Sequence, residues 1–510
     1  MKKKKAGIYD RWLSTLGGGE QVAFAYAETL RDLGYSVELL THGAVDLEKA
    51  EKKMNVNLKD INIKYLPEKS TLELSEYSEK YDFFINTSYL DYFPSRAKKS
   101  LLSVFFPGEI YLSPFEFIKR AFVIPSLKIL FIYPIRFEGF SFDQIKNGVI
   151  YKWIKNESKI IFNKPIDKIC LDIYIEKVSF SILDGIGFYS NDKKIIPISK
   201  TLNHNNNIVT YKFDLEKEKD ITIRLPNEKY KNNIALTRFT IPKIKYFLYN
   251  AFKSRFPRWE MRLHGGAGIT PRSYLESYSE IITISKFCRK WIKKYWGLPS
   301  TILYPPVNTK AFSPAKNKKN HIIHIGRFFV TGHSKKQLEM TRVFKKMVDK
   351  YKLKNWELHF IGSIESGSQH QDYYNQVKTE SKDYPIHIHT DMSFLELKKM
   401  LSEAKIYWHA TGLGENEEKA PILFEHFGIT TIEAMASGCV PVVIAAGGQP
   451  EIVDDESGFK WKTEKELMDY THKLIKSKNL LSRLSKGAVE RSKFFSRGEF
   501  KKNFKRIIER

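Results

Sequence analysis

A chain of 510 residues is too long for a single hydrophobic core and predicts roughly two to four domains. Its three cysteines, Cys170, Cys288 and Cys439, are odd in number and far apart, which argues against a disulfide framework or a cysteine zinc site and fits reduced thiols in a cytoplasm. The formal net charge of +26 points to an anionic partner or to a lysine-rich composition bias. The lysines are scattered and no nucleic-acid-binding motif is present, so nucleic acid is not the expected partner and an anionic membrane surface is the remaining candidate.

Met1-Lys2-Lys3-Lys4-Lys5 is basic, but Ala6-Gly7-Ile8-Tyr9-Asp10 soon turns polar, and no secretory leader is expected. Lys5–Tyr9 reads as a strand. The loop Ser14-Thr15-Leu16-Gly17-Gly18-Gly19 then leads to a helix from Glu20 to Leu33. Val22, Tyr26, Leu30 and Leu33 share one face of that helix, and Gly34 ends it. Further strands are expected at Ser36–Thr41, Ile61–Leu66, Tyr81–Thr87 and Leu101–Phe106. Strands alternating with helices predict a parallel, doubly wound α/β sheet. The apolar stretch Phe117–Ile135 is broken by Lys119, Arg120, Pro125, Lys128 and Pro134, so it does not span a membrane; it reads as a core helix or as an interfacial segment.

The character changes near Phe137. Short alternating runs such as Ile169–Tyr174 and Asp220–Leu225, separated by turn-rich segments such as Asn203-His204-Asn205-Asn206-Asn207, predict an antiparallel β-sandwich over 137–242. Tyr151 and Trp153 read as sandwich core or as platforms for a ring-shaped ligand. The α/β pattern returns with Ile281–Ser285, so the first domain comprises 1–136 and 243–307 around the insertion. A second α/β domain is expected over 308–490, with strands at His321–Ile325, Leu358–Ile361, Ile386–His389, Ile406–His409 and Val440–Ala445 and helices at Lys336–Lys350, Phe394–Ala404 and Thr431–Ser437. The segment 491–510 is basic and amphipathic.

The most specific pattern is Glu425-His426-Phe427-Gly428-Ile429-Thr430-Thr431-Ile432-Glu433, continuing through Ala434-Met435-Ala436-Ser437-Gly438 into the strand-like Val440–Ile444 and then Gly447-Gly448. A loop entering a helix leaves backbone N–H groups unpaired, which suits a phosphate. Carboxylates on either side of that site can accept hydrogen bonds from sugar hydroxyls. The stretch resembles the Glu-x7-Glu motif of glycosyltransferase family 4, from Glu425 to Val443. Ile323–Phe328 followed by Lys335-Lys336-Gln337 is similar to that family's Gly-Arg…Lys segment. Ile281–Ser285 and Thr301–Val307 resemble its strand, helix and Tyr-Pro-Pro-Val approach to the second domain.

The resemblance implies an α/β fold of two facing Rossmann-like domains (the GT-B architecture), here with the β-sandwich inserted in the first. It implies retaining transfer of a hexose from a nucleotide-diphosphate sugar to a hydroxyl of a glycan or glycolipid, in surface polysaccharide or glycolipid assembly. Arg327 and Lys335, with Gly326 and Lys336 beside them, would grip the donor diphosphate. Glu425 would meet the donor sugar, and the backbone of Phe427, Gly428, Ile429 and Thr430 the phosphates. Glu433 would hold the ribose. Gly17, Gly18 and Gly19 would border the acceptor or the diphosphate, with no side chain to obstruct either. In 491–510 the resemblance implies a helix crossing back to the first domain.

No His-Glu-x-x-His, Asp-x-Asp or Cys-x-x-Cys signature is present, so transfer without a metal or other cofactor is expected. Asp454-Asp455-Glu456 reads as a solvated turn. The sequence departs from the family near Phe105 and Phe106, where relatives carry a histidine; His264 and His409 are the candidates to replace it. The expected location is cytoplasmic, peripheral on the inner face of the cell membrane. The readings left open are a non-catalytic sugar-binding protein with the sandwich as a lectin-like module, or another activity on the same scaffold such as epimerisation. A phosphorylase lacks support, because no pyridoxal-binding lysine motif is found.

Overall fold

The computed structural model describes residues 3–54, 56–66, 71–108, 118, 122–123, 126, 135–146, 149–175, 183–203, 206–226, 233–255, 272–330, 332–365 and 367–510. The chain divides into two compact units. One comprises Met1–Tyr111, Thr270–Glu365 and Gln369–Arg510, and the other is essentially Leu112–Ile269.

The first unit contains two parallel sheets. Strands β1 (Lys5–Tyr9), β2 (Ser36–Thr41), β3 (Ile61–Tyr65), β4 (Phe83–Asn86) and β5 (Lys99–Val104) precede the insertion. The insertion holds β6 (Ile135–Lys146), β7 (Val149–Ile175), β8 (Gly187–Ser190), β9 (Lys193–Ile195), β10 (Ser199–Asn203), β11 (Ile208–Arg224) and β12 (Ile234–Thr240). After it, β13 (Glu280–Thr283) and β14 (Thr301–Ile302) complete the first sheet, in the order β14-β13-β5-β4-β1-β2-β3. Then β15 (His321–Ile325), β16 (Glu357–Ile361), β17 (Ile386–His389), β18 (Ile406–His409), β19 (Val440–Ile444) and β20 (Phe459–Trp461) form the second, in the order β17-β16-β15-β18-β19-β20. All described pairings in both sheets are parallel.

Strand order in both sheets reverses beside the first strand, between β1 and β4 and between β15 and β18. That is the crevice where doubly wound sheets bind ligands, at the carboxyl ends of the strands. Central strands such as β4, β18 and β19 are buried along their whole length, as a sheet covered on both faces requires. Gly7 on β1 lets the Tyr81 ring lie against the backbone; a Cβ there would come within 2.7 Å of it.

The helix Arg497–Ile508 packs on the first sheet's side of the unit. Phe500, Phe504 and Ile507 join the core of Ala6, Phe24 and Tyr26, and the Phe504 ring meets Tyr26 at 4.6 Å. Lys501 pairs with Asp32 at 2.8 Å, and Arg497 donates to the Met54 carbonyl. The chain enters this helix beside the connection between the two sheets, with Val307 N–H donating to Phe495 O at 3.1 Å and Arg497 N–H to Val307 O at 3.0 Å.

The second unit is antiparallel, and its seven described strands are linked by hydrogen bonds into one sheet. The sheet is built on β7, a single 27-residue strand where several short strands were expected. Ala235 of β12 pairs with both Trp153 and Tyr174, and Leu236 with both Lys152 and Ile173. The two ends of β7 therefore flank β12, and the sheet closes on itself around Ile154, Ile173, Phe213, Ile221 and Leu236. Register shifts between Asp214 and Asp220 allow β11 to follow the bend. Trp153 is buried and packs with Tyr151 and Tyr174.

The helix Ile244–Arg255 buries Tyr246 among the sheet's apolar residues, and Asn250 donates to Phe239 O. Of Phe117–Ile135, only Ile118, Phe122, Val123, Ser126 and Ile135 are among the described residues; Ile118, Phe122 and Val123 are exposed. No helix among the described residues is long and apolar enough to cross a membrane.

Candidate functional site

The second sheet's switch point carries the site. Strand β15 ends in Gly326-Arg327, and the backbone there is pinned from three sides. Gly326 N–H donates to Ile361 O at 2.9 Å, and the Gln337 amide donates to the carbonyls of Gly326 and Arg327 at 3.0 and 3.1 Å. Gly326 must be glycine because a Cβ would lie 2.6 Å from Lys335 Cγ. The loop returns through Lys335 and Lys336 to the helix Gln337–Tyr351, with Lys336 in the left-handed conformation (φ 60°) at its N-terminus.

Lys335 Nζ lies 2.6 Å from Glu425 Oε2, and the two side chains are only 15% and 19% exposed. His409, the last residue of β18 and fully buried, places Nε2 3.3 Å from the same oxygen. Among the described residues no hydrogen bond reaches Glu425 Oε1. Burial opposes the charge on Glu425, but the Lys335 ammonium and the His409 hydrogen bond hold its carboxyl well below the usual range. The neighbouring imidazoles stay neutral: burial brings His333 down to about 4, and His324 and His426 to about 3. Lys335 and Glu425 thus form a charged pair in an otherwise uncharged pocket.

The helix Ile429–Ala436 opens beside this pair. Gly428, its N-cap, has φ 127°, and a Cβ there would lie 2.1 Å from Gln449 Nε2. That amide donates to Phe427 O at 2.9 Å, while Thr431 Oγ1 donates to Gln449 Oε1 at 2.9 Å. Tyr407 and Thr430 share a hydroxyl contact of 2.9 Å. Gly447 and Gly448 let a second loop lie against Glu425–Phe427, with Gly448 N–H on Glu425 O at 2.7 Å. The N-terminal N–H groups of the helix are thereby held in a fixed array. Glu433 is half-buried with no hydrogen-bond or ion-pair partner among the described residues, and burial pushes its carboxyl up to about 7.

Arg327 is more open. Its side chain is 57% exposed, pairs with Glu365 and lies over the Phe329 ring. Lys336 pairs with Glu415 at 2.7 Å. Of the two alternatives for the histidine, His409 stands at the site and His264 lies outside the described residues. Phe105 and Phe106 supply no polar contact; the Phe106 ring instead stacks on His426 at 4.3 Å, and Cys288 Sγ donates to Phe105 O. Asp454, Asp455 and Glu456 pair with Arg491, Lys460 and Arg483 in an exposed turn.

The first sheet's switch point faces the same region. Gly17 caps the helix Gly18–Asp32, and its N–H donates to the Glu20 carboxylate at 2.6 Å. A Cβ on Gly18 would lie 3.4 Å from Ile429, and one on Gly19 3.3 Å from Phe105, so the glycine loop runs between the two sheets' strand ends. A cavity of about 210 Å³ opens there, lined by Asp10, Trp12, Glu20, Thr87, Tyr89 and Phe105 together with Gly19. Asp10 is buried, accepts from Trp12 N–H and Thr87 Oγ1, and is raised to about 7 by burial and then by Glu20. The sequence reading passed over Asp10 and Trp12. The available signal was position: Asp10 directly follows the first strand of a doubly wound sheet. A larger cavity, about 680 Å³, is elsewhere, in the second unit, lined by Ile241, Ile244 and Phe247 among others.

Comparison with known proteins places this geometry. A glycosyltransferase from Rickettsia africae aligns over 99% of this chain and 98% of its own, with TM-score 0.50 and 12% identity. HepE of Anabaena, determined in complex with UDP, aligns over 99% of both chains with TM-score 0.52 and 10% identity. The fold is the GT-B-like glycosyltransferase fold, with two parallel sheets. Residues 308–491 match the family described as "Glycosyl transferases group 1", so the chain carries that domain, the domain of a transferase enzyme. A relative in Dictyostelium discoideum, named "GDP-Man:Man(3)GlcNAc(2)-PP-Dol alpha-1,2-mannosyltransferase", is 27% identical over 234 residues. That match spans 42% of this chain and 43% of the relative, less than half of either.

Proposed function

We propose that the protein is a retaining hexosyltransferase of glycosyltransferase family 4, moving a hexose from a nucleoside diphosphate sugar to a hydroxyl of a glycan or glycolipid. The observation that carries this reading is the Lys335–Glu425 pair, 2.6 Å apart, set beside the ordered N-terminus of Ile429–Ala436. The diphosphate lies between Lys335, Arg327 and the N–H groups from Phe427 to Thr430, where cations and an oriented helix end stabilise a leaving dianion. Arg327 exchanges Glu365 for phosphate when the donor binds. Glu425 Oε1 accepts from the sugar hydroxyls, and ionised Glu433 accepts from the ribose.

In the transfer step the bond from the anomeric carbon to the phosphate oxygen breaks, and the acceptor oxygen bonds to that carbon on the same face. The acceptor proton passes to the departing phosphate oxygen. Lys335 and the helix end carry the negative charge that develops there, so no protein nucleophile and no metal enter the step. The cavity at Asp10, Trp12 and Glu20 receives the acceptor: Trp12 offers an exposed ring face and Asp10 a buried carboxyl. The Dictyostelium relative's name, with a sugar nucleotide and a dolichol-linked glycan in it, supports a hexose donor and a glycolipid acceptor. The net charge supports work at an anionic membrane surface, on its cytoplasmic side. The test is transfer from a donor hit to a simple alkyl glycoside, with the product anomer read by NMR. Retention supports the proposal, and inversion rejects it.

A further inference from the structure

A second cluster lies on the sheet β15-β16-β17, far from the transfer site. His321 begins β15, Glu357 begins β16, and His359 and His387 follow on β16 and β17; the registers His321↔Glu357 and His359↔His387 put all four on one face. His321 is four residues upstream of Ile325, about 13 Å along the strand from the end that carries Gly326 and Arg327.

Three imidazole nitrogens converge on one carboxylate oxygen. Glu357 Oε2 lies 3.2 Å from His321 Nε2, 3.2 Å from His359 Nε2 and 3.7 Å from His387 Nε2. The His359 contact is a hydrogen bond, and the His387 nitrogen stands beyond hydrogen-bond reach. A tetrahedral zinc ion with ligand bonds of ~2.0–2.1 Å holds its ligand atoms about 3.3 Å apart, close to the 3.2 Å from Glu357 Oε2 to the Nε2 atoms of His321 and His359. The ligand atoms of His321, Glu357 and His359 all lie within 4.8 Å of one another. Behind them, His359 Nδ1 faces His389 Nε2 at 3.1 Å, the outer partner that a metal-bound imidazole usually has. His321 Nδ1 is buried without one. The nearby ammonium of Lys319 is already paired with Glu403 at 2.7 Å, so it does not compete for Glu357. His387 and Glu357 are 48% and 41% exposed, which gives an ion a path in from solvent.

We propose that His321, Glu357 and His359 bind one divalent transition-metal ion, zinc before the others, which ties β15 and β16 together and takes no part in transfer. Imidazole with a single carboxylate favours zinc, cobalt, nickel or copper over magnesium or calcium.

The test uses the full chain, stripped with a chelator and then titrated with zinc or cobalt chloride. The expected result is one equivalent bound, visible bands of four-coordinate cobalt, and a Tm raised by several degrees with zinc. Glu357→Gln, at a half-exposed position that tolerates change, and His321→Ala each weaken zinc binding tenfold or more. Substoichiometric uptake, or uptake that neither variant alters, overturns the proposal. Donor binding by Glu357→Gln equal to that of the unaltered chain is also expected, and its loss would place the cluster in the transfer machinery instead.

Discussion

Replacing Lys335 with alanine separates the structural and chemical roles of the central pair. The ammonium is 2.6 Å from Glu425, and both side chains are more than four-fifths buried. Removing it leaves a carboxylate whose remaining close partner is His409 at 3.3 Å. Breaking a buried pair from one side costs ~3–5 kcal/mol, and the residual exposure here places the loss at the lower end, about 3 kcal/mol. Changing Glu425 to glutamine in the same chain leaves no stranded charge, so the double variant should recover to within about 1 kcal/mol of the starting stability. Turnover should not recover with it. Loss of one group that stabilises developing charge lowers kcat by ~10²–10³-fold. Urea unfolding measures the first quantity, and single turnover at saturating donor the second. Full kcat in Lys335→Ala, with only KM raised, would show that the lysine binds donor and leaving group equally and would refute its assigned role. Strictly additive stability losses would refute the buried-pair reasoning.

Other outcomes follow from single residues. Glu433 titrates near 7 in the folded chain against ~4.3 unfolded, so the stability it contributes is present at low pH and lost as pH rises through about 7. Glu433→Gln should flatten that part of the stability profile. In the unaltered chain, donor binding should weaken as pH falls below about 7, because only the ionised carboxylate accepts two ribose hydroxyls; calorimetry across pH tests both. Gly428→Ala should cost ~1–3 kcal/mol from its φ of 127° and its clash with Gln449, and should weaken donor binding as well. Asp10→Asn should raise the acceptor KM while donor Kd stays unchanged, and an effect on donor Kd alone would reject the acceptor cavity. Phe504→Ala should lower stability by ~3–5 kcal/mol, since its ring is fully buried against Tyr26.

Much of the first unit was legible because parallel strands buried on both faces announce themselves. Ser36–Thr41, His321–Ile325 and Ile406–His409 are short, mostly apolar runs followed by turn residues, and their bounds match the structure. Helix ends were less visible: the helix after the glycine loop begins at Gly18, because Gly17 can cap it with help from Glu20. The insertion was legible as antiparallel strands but not in its strand lengths, because alternation reports which residues face inward and says nothing about whether a strand breaks or bends. A continuous β7 and a row of short strands carry the same period-2 pattern.

At the site, sequence order singled out Arg327, Lys335, Glu425 and Glu433 and favoured Lys335 over Lys336, and the structure sends the two lysines different ways. Lys335 reaches Glu425 and Lys336 reaches Glu415. His409 was one of two candidate histidines until β15 met β18, and Asp10 emerged only when β1 met β4, contacts between residues distant in the chain. The histidine cluster was hidden for the same reason, being assembled by register across three strands.

The most direct measurement is a thermal-shift panel of UDP-, GDP- and ADP-sugars on the full chain and on Glu433→Ala. A donor at 100 times its Kd stabilises the folded state by about 2.7 kcal/mol, a readable rise in Tm. The account predicts that at least one nucleotide sugar gives this rise, that it is then slowly hydrolysed, and that Glu433→Ala removes the shift. A folded chain that no nucleotide sugar stabilises, or a shift that survives in Glu433→Ala, would contradict it.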